Sequence, residues 1–258
     1  MQCTIVVPTI GRPSLDALLR ALAGASGPRP AELVLVDDRP SGPSWQPPID
    51  GLPPVRVVRT GGGGPARARN LGWRTARTEW IAFLDDDVVP DPDWYERLAA
   101  DLADLPADVA GSQGRVRVPL PTDRRPTDWE RGTAGLATSS WITADLAYRR
   151  AALAAVGGFD ERFPRAFRED SDLALRIMDT GARLVRVQRR ITHPVRPVDR
   201  WVSVRVQAGN ADDVLMRRLH GPTWRERADA ALGRRPQHLA VTAAALTAVG
   251  LAVARWRR

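Results

Sequence analysis

The chain has 258 residues, 43% of them hydrophobic and 26% charged, which suits one large globular domain that needs no disulfide staples. Its single cysteine, Cys3, excludes an intrachain disulfide and a cysteine-based zinc site, and it favours a reducing, cytoplasmic compartment. The formal net charge is +8, carried by 38 arginines and no lysine, and it fits phosphorylated ligands, an anionic membrane or nucleic acid without choosing among them.

The first half of the sequence alternates between predicted strands and helices. Short apolar runs predict buried strands, at 4–7 (ended by Pro8), 33–36, 55–58 and 80–84. Apolar residues at helical spacing predict helices, near 15–22, 66–76 and 94–105, and a loop is predicted at 40–54. This alternation is typical of a mostly parallel α/β sheet. We expect no signal peptide, because residues 1–8 lack a basic segment before their short apolar run.

The second half is less regular. It predicts strands at 109–118 and 141–148, helices at 149–156 and 170–179, and a final hairpin built from 184–187 and 190–192.

Polar residues follow three of the predicted strands: Pro8-Thr9, Asp37-Asp38 and Asp85-Asp86-Asp87. The carboxyl ends of parallel strands meet at one edge of a sheet, where ligands bind. Three consecutive carboxylates repel one another, and a hard divalent cation such as Mg²⁺ or Mn²⁺ would offset that repulsion. Because alternate side chains of an extended segment share a face, Asp85 and Asp87 would point toward one metal. The alternative is a solvated turn of helix-capping acids.

Six segments, taken in order, resemble motifs of the inverting family 2 glycosyltransferases of the GT-A fold. They are Val6–Thr9, Leu35–Asp38, Gly64–Gly72, Phe83–Asp87, Gly157–Glu161 and Arg168–Leu173. The resemblance covers about residues 2–195. It implies a mostly parallel central sheet flanked by helices, with a nucleotide-sugar-binding half at 1–115, an acceptor-binding half at 116–210 and a C-terminal helical extension at 211–258.

The resemblance also implies a role for individual residues. The donor-binding residues would be Pro8, Thr9, Asp37, Asp38, Arg67, Asp85 and Asp86. Asp85, Asp87 and His193 would hold Mg²⁺ or Mn²⁺, and Asp170 would be the general base. Chemistry supports this division, since inverting transfer needs a base for the acceptor hydroxyl and a cation for the leaving diphosphate. Glu169-Asp170 could equally be capping acids, and a lone histidine such as His193 is commonly structural or exposed.

The acceptor side is less defined by sequence. Glu169, Trp141 and Trp201 are candidates to bind the acceptor, with Trp129 beside them, although burial is the commoner fate of tryptophan. Two departures from the family pattern stand out. Asp145 replaces the usual asparagine in one donor-side segment, and the Gln-x-x-Arg-Trp motif of polymerising members is absent from the sequence. We therefore expect transfer of a single sugar, from a UDP-sugar by family habit, to an unknown hydroxyl.

The stretch 239–254 is apolar and is followed by Arg255, Trp256, Arg257 and Arg258. As a helix it would be about 24 Å long, short of the roughly 30 Å hydrocarbon core of a bilayer. Three alternatives stay open: a helix that packs on the domain or on a second copy, a membrane-surface anchor, and a short span. A lipid-linked acceptor would suit an enzyme placed on the cytoplasmic face of a membrane.

Other functions fit the sequence less well. A sugar nucleotidyltransferase would carry a glycine-rich basic loop after its first strand, where this chain has Pro8–Pro13. A non-catalytic nucleotide-binding scaffold would not need Asp85, Asp87 and Asp170 together. No nucleic-acid partner is expected, because the arginines are scattered and no recognition motif is present.

Overall fold

The computed structural model describes residues 1–43, 50–231 and 235–256. Residues 44–49 of the predicted loop therefore lie outside the described part. The strands are β1 Cys3–Thr9, β2 Glu32–Asp37, β3 Val55–Arg59, β4 Trp80–Leu84, β5 Val89–Pro90, β6 Val109–Arg117, β7 Asp145–Arg149 and β8 Arg183–Thr192. The helices are α1 Ser14–Gly24, α2 Pro65–Thr75, α3 Trp94–Ala103, α4 Asp128–Ala134, α5 Arg150–Ala155, α6 Glu169–Met178, α7 Val202–Arg205, α8 Asn210–His220, α9 Trp224–Arg227 and α10 Arg235–Trp256.

The strands form one mixed sheet in the order β3-β2-β1-β4-β7-β6-β8-β5. The first four strands in this order, β3, β2, β1 and β4, pair in parallel, as their apolar sequences predict. β6 also pairs with β8 in parallel. β7 enters antiparallel between β4 and β6, and β5 is antiparallel to β8. The predicted α/β architecture is confirmed, and the antiparallel β7 joins the two halves of the chain.

Helices cover both faces of the sheet. Alternate residues of β1 show why, because Ile5 and Val7 pack against α1 and α3 while Val6 packs against α2. The leucine stripe of α1 is buried as predicted, and so is Trp94 at the start of α3. A third, smaller cluster joins α8 and α9 to α6 and consists of Phe163, Leu175, Met216, Trp224 and Ala228.

Three predicted boundaries differ from the structure. β1 runs through Pro8 because its pairing with β4 ends at Val6, so no partner on that side needs the missing Pro8 N–H. β7 begins only at Asp145, since the chain turns at Trp141 with a φ of 61°. The predicted hairpin is a single strand, β8, whose polar Arg189 points inward to a buried partner instead of marking a turn.

The apolar segment near the end of the chain forms α10, a helix of 22 residues. At 1.5 Å per residue its length is about 33 Å, longer than the apolar run alone predicts. Its stretch Leu239–Trp256 has a mean hydropathy of 1.6, and none of it is buried. In the structure, α10 therefore does not pack on the rest of the described chain, contrary to the first of the three alternatives. The predicted boundary at residue 211 falls at the start of α8, which itself packs on α6.

Close packing of α2 on the sheet depends on Gly72. A Cβ there would lie 2.3 Å from Val6 Cγ1 and 3.1 Å from Val36 Cγ2, both fully buried. We expect Gly72→Ala to lower the free energy of unfolding by about 1–3 kcal/mol through overpacking. Urea unfolding followed by circular dichroism measures it. The matched control is Gly132→Ala in α4, where a Cβ meets nothing within 4 Å and no loss is expected. Equal stability of the two variants would contradict the packing argument.

Candidate functional site

The carboxyl ends of β1, β2 and β4 meet, as the sequence predicts. Thr9 Oγ1 donates a hydrogen bond of 2.7 Å to Asp86 Oδ2, and the Asp38 amide donates one of 2.8 Å to the Thr9 carbonyl. Arg12 Nη1 donates to the other Asp86 oxygen at 2.8 Å. Asp86 is thus buried and fully engaged with protein groups, and it joins the ends of β1 and β4. Pro8 precedes this junction within β1, half-buried.

The two aspartates at the end of β2 hold loops on either side of the site. Asp37 accepts two hydrogen bonds from the Arg39 side chain at 2.8 Å, and this pairing holds the pKa of the Asp37 carboxyl below its ordinary value. Asp38 accepts from the amides of Gly63 and Gly64 at 2.7 and 2.9 Å. Asp38 therefore lies at the start of α2, where its negative charge suits the helix N-terminus.

Arg69 of α2 bridges two carboxylates that are far apart in sequence. Its Nη2 donates to Asp85 Oδ1 at 2.7 Å, and its Nη1 donates to Glu169 Oε1 at 2.8 Å. The Arg69 side chain is only 2% exposed, and the guanidinium also stacks 5.6 Å from the Phe159 ring centroid. One guanidinium thus holds the acids after β4 beside the acids that begin α6. Arg67, the arginine predicted to bind the donor, is exposed on the first turn of the same helix.

The next residue of α2, Asn70, anchors the turn that follows α5. Its side chain donates to the Phe159 carbonyl at 2.9 Å and to Glu161 Oε1 at 2.8 Å, and it accepts from the Phe159 amide at 2.9 Å. This contact places the Phe159 ring beside Arg69. The third and fifth of the motif segments therefore meet at Asn70.

The acids at the start of α6 lie in a poorly solvated environment. Burial, helped by the neighbouring Asp170 charge, raises the pKa of Glu169 to about 8, and Glu169 Oε2 has no hydrogen-bond partner among the described residues. Burial also raises the pKa of Asp170, which accepts from the Ser171 amide at 2.7 Å. Arg168 just before them has a φ of 77°, a left-handed conformation that is strained for arginine. This strained turn leads directly into Glu169 and Asp170.

Asp87 and His193 lie together on the other side of the site. His193 Nε2 is 3.4 Å from Asp87 Oδ1, although the residues belong to opposite ends of the domain sequence. Burial, followed by repulsion from Asp85, raises the pKa of Asp87. Within the described ranges, no cluster of three or more His, Cys, Asp or Glu side chains is arranged to hold a metal ion.

The predicted acceptor residues lie in the second half, where Trp141 and Trp201 belong to turns, Trp129 to α4 and Glu169 to α6. Trp141 is half-buried in the turn before β7, where its amide donates to Gln113 Oε1. Trp201 is 58% exposed beside α7. Trp129 Nε1 donates to the Arg196 carbonyl at 3.2 Å, and the Arg196 guanidinium covers its ring. Only Glu169 of the predicted acceptor residues contacts the acids of β4, through Arg69.

Asp145, the departure from the family pattern, belongs to a buried ion pair. Arg189 Nε donates to Asp145 Oδ1 at 2.7 Å, and both side chains have no exposed surface. Trp94 Nε1 donates to the second Asp145 oxygen at 3.1 Å. The carboxylate in this position therefore neutralises an arginine from β8 and joins β7, β8 and α3.

Sequence reasoning missed Arg69 and Arg12. Both are single arginines in a chain that holds 38, so neither has a compositional signal. The available signal for Arg69 is its place in α2, since positions 66, 68, 69, 70 and 73 share the face that packs on the sheet. A charge on that face needs a partner, and Asp85 and Glu169 supply it.

The fold with this edge of acids is the GT-A fold. The profile of "Glycosyl transferase family 2" matches residues 4–158, more than half of the chain. The chain therefore belongs to glycosyl transferase family 2.

Two curated relatives are similar over part of the chain. The "Pre-mycofactocin glycosyltransferase" of Mycobacterium tuberculosis is 34% identical over 132 residues, which cover 47% of this chain and 28% of the relative. The "Succinoglycan biosynthesis protein ExoM" of Rhizobium meliloti is 35% identical over 104 residues, which cover 38% of this chain and 34% of the relative. The matched segment thus spans about a third of each relative.

Solved structures share the fold at low sequence identity. The mannosyltransferase PcManGT of Pyrobaculum calidifontis, in complex with GDP-Man and Mn²⁺, has a TM-score of 0.60 and 22% identity, and the match covers 98% of this chain and 80% of that one. S. aureus TarS 1–349, in complex with UDP-GlcNAc, has a TM-score of 0.55 and 18% identity, and the match covers 79% of this chain and 61% of that one.

The Arg69 bridge predicts a large loss of stability when its cation is removed. Arg69→Met leaves Glu169 and Asp85 facing each other without a partner, and we expect the free energy of unfolding to fall by about 3 kcal/mol. Because Glu169→Gln removes the buried acid that has lost its partner, the double variant should recover part of that loss. Urea titrations of the four proteins form the cycle. Arg67→Met, the same change at an exposed position of α2, should stay within about 0.5 kcal/mol of wild type. Additive single effects would contradict the bridge.

Stability should depend on pH through Glu169. Its folded pKa of about 8 lies above the ordinary carboxyl value of 4.5, so the folded chain keeps a proton that the unfolded chain loses. The stabilisation is complete below pH 4.5 and is lost as the pH rises toward 8, with a slope of at most about 1.4 kcal/mol per pH unit. Thermal unfolding between these pH values should show a shallower decline for Glu169→Gln than for wild type. Parallel curves would show that Glu169 is ionised in the folded protein.

Proposed function

We propose that the chain catalyses the inverting, metal-dependent transfer of one sugar from a nucleotide-diphosphate sugar to an acceptor hydroxyl. The Arg69 bridge carries the proposal, because it joins Asp85 to the Glu169-Asp170 pair at 2.7 and 2.8 Å. Asp85, at the edge that would bind the diphosphate, and the separate acids at the start of α6 are thus joined by a single guanidinium. Those are the two groups that an inverting transfer needs.

The donor would bind along the strand ends, with residues 1–115 forming its half of the site. Thr9, Asp37 and Asp38 end the strands that would face the nucleoside, and Pro8 shapes that edge. Arg67 is exposed at the start of α2, within reach of a phosphate. Asp86 would act indirectly, because Thr9 and Arg12 already occupy its oxygens. The neighbours solved with UDP-GlcNAc and with GDP-Man support a nucleotide sugar as donor, and among these we favour a UDP-sugar.

Mg²⁺ or Mn²⁺ fits the residues on the metal side. Asp87 and His193 present hard oxygen and imidazole nitrogen ligands 3.4 Å apart. Burial raises the pKa of Asp87, and repulsion from Asp85, which a cation would relieve, raises it further. Asp87 and His193 would be direct ligands, and Asp85 would contribute its charge from the Arg69 side. The metal, when bound, supplies positive charge that stabilises the leaving diphosphate. The Mn²⁺ in the similar mannosyltransferase supports this assignment.

Asp170 would be the general base. Its carboxylate takes the proton of the acceptor hydroxyl while the acceptor oxygen forms a bond to the anomeric carbon of the donor. The bond from that carbon to the diphosphate breaks, and its electron pair leaves with the diphosphate. One displacement of this kind inverts the configuration at the anomeric carbon. Burial raises the pKa of Asp170, which makes its carboxylate a stronger base near neutral pH.

The acceptor would bind the half formed by residues 116–210, where Trp141 and Trp201 offer apolar faces to a sugar ring. Glu169 would lie between the acceptor and Arg69. We propose a cytoplasmic enzyme whose acceptor hydroxyl is carried by a lipid at the membrane face. This part of the proposal rests on the low cysteine content and on the apolar residues of α10.

Removal of the Asp87 charge should abolish metal-dependent donor binding. In thermal-shift measurements with UDP, GDP and dTDP, we expect one nucleotide to stabilise wild type only with Mn²⁺, and Asp87→Asn to lose at least nine-tenths of that shift. Asp104→Asn makes the same change at an exposed residue after α3 and should behave as wild type. A full metal-dependent shift in Asp87→Asn would contradict the metal assignment.

A variant of Asp170 separates donor binding from general-base catalysis. Asp170→Asn should keep the nucleotide shift and lose transfer to the acceptor by about a thousandfold, the range of general-base effects. Transfer with retained anomeric configuration, read by NMR, would contradict the single-displacement mechanism. A shift with every variant and no transfer by wild type would identify a nucleotide-binding scaffold.

A further inference from the structure

The α10 helix exposes an unusual amount of apolar surface. Its large apolar side chains are 46–91% exposed: Leu239, Val241, Leu246, Val249, Leu251, Val253 and Trp256. No residue of the stretch Leu239–Trp256 is buried. By contrast, the other long helices of the described chain bury one face on the sheet or on α6. A partner outside this chain must therefore cover α10 for its apolar surface to be removed from water.

The apolar side chains of α10 surround the helix. At roughly 100° per residue, Leu239, Leu251 and Trp256 lie about a third of a turn apart around the axis. A helix that docks in a protein groove, or in a seam with a second copy, needs an apolar stripe on one side and polar residues on the other. A helix that lies flat on a membrane surface needs the same division. A helix that is apolar all round is surrounded by apolar material, which for an unburied helix is lipid.

The length and polarity of α10 match the hydrocarbon core. Its 22 residues extend about 33 Å and so cross the roughly 30 Å core, while the uncharged stretch 239–254 fills about 24 Å of it and leaves the polar residues at both ends near the headgroups. The segment 239–254 carries no charge. Thr247 Oγ1 donates to the Ala243 carbonyl at 2.9 Å, so this hydroxyl is satisfied inside the helix, as lipid requires. These features remove the main costs of burying the helix in lipid.

The ends of α10 match the headgroup region. Trp256 is 91% exposed beside Arg255, and Arg257 and Arg258 follow in the sequence. Arg234 and Arg235 stand at the other end of the apolar segment. Tryptophan and arginine concentrate at membrane interfaces, and arginine is attracted to anionic lipids.

From these observations we infer that α10 inserts into the hydrocarbon core of an anionic bilayer and tethers the glycosyltransferase domain to it. The anchor is independent of the donor site, so it stands or falls separately from the proposed reaction. If both hold, the acceptor is met at the membrane surface.

Flotation with vesicles tests the insertion. The full chain, purified in mild detergent, is mixed with vesicles of phosphatidylethanolamine and phosphatidylglycerol and floated at about 0.1 M and about 1 M NaCl. Hydrocarbon insertion resists salt, whereas adsorption through arginine is screened. We expect wild type to float at both salt concentrations. At high salt, the vesicle-bound fraction of the variant Leu246→Arg with Val249→Arg should be at least tenfold lower than that of wild type, because two cations then lie in the apolar segment.

The matched control adds two arginines at exposed valines of the domain, Val204→Arg with Val214→Arg, which are 63% and 60% exposed. It should float as wild type does. Release of wild type at high salt would overturn insertion in favour of surface adsorption. Flotation of the α10 variant at wild-type level would also overturn it. Oligomers of wild type that fail to float, and that the α10 variant disperses, would show instead that α10 covers a second copy. Circular dichroism melting curves of each protein verify that the domain is folded.

Discussion

The Arg69 guanidinium is the contact on which the architecture of the site depends. It is 2% exposed, and it holds Asp85 from the end of β4 and Glu169 from the start of α6 in one buried group. Without a cation at that point, Asp85 and Glu169 would be left unpaired in a poorly solvated space, at a cost of several kcal/mol. The first half of the chain supplies the arginine and one acid, and the second half supplies the other acid. The site can therefore form only when the two halves of the sheet have come together.

A second buried arginine does similar work in the core. Arg189 has no exposed surface, and its guanidinium donates to Asp145 and to Ser112 from neighbouring strands. Arginine suits both positions because its planar group donates several hydrogen bonds in fixed directions, while an ammonium is a point charge with a stronger hydration shell. The absence of lysine from the sequence still fits a compositional bias, but two of the arginines are placed where lysine would not be equivalent.

The mixed sheet explains how distant residues meet. The parallel strands β2, β1 and β4 bring their carboxyl ends to one edge, and the antiparallel β7 beside β4 brings the second half of the chain against them. β8 then returns parallel to β6 and delivers His193 to within 3.4 Å of Asp87. Residues 87 and 193 thus become neighbours because β5 pairs with β8 and sets Val89 opposite Thr192.

The sequence by itself determined the strands and helices of the first half, the edge at which their polar ends meet, and the glycosyltransferase family. Those features follow from local apolar periodicity and from short motifs that read along the chain. Only the tertiary structure decided that Asp86 faces Thr9 and Arg12, that Arg69 rather than Arg67 joins the acids, that Asp145 neutralises Arg189, and that residues 183–192 form one strand. It also showed that α10 is apolar on every side and lies apart from the core. The reason is physical: a buried charge takes whichever partner the fold brings within hydrogen-bond distance, and that partner has no signature in the neighbouring sequence.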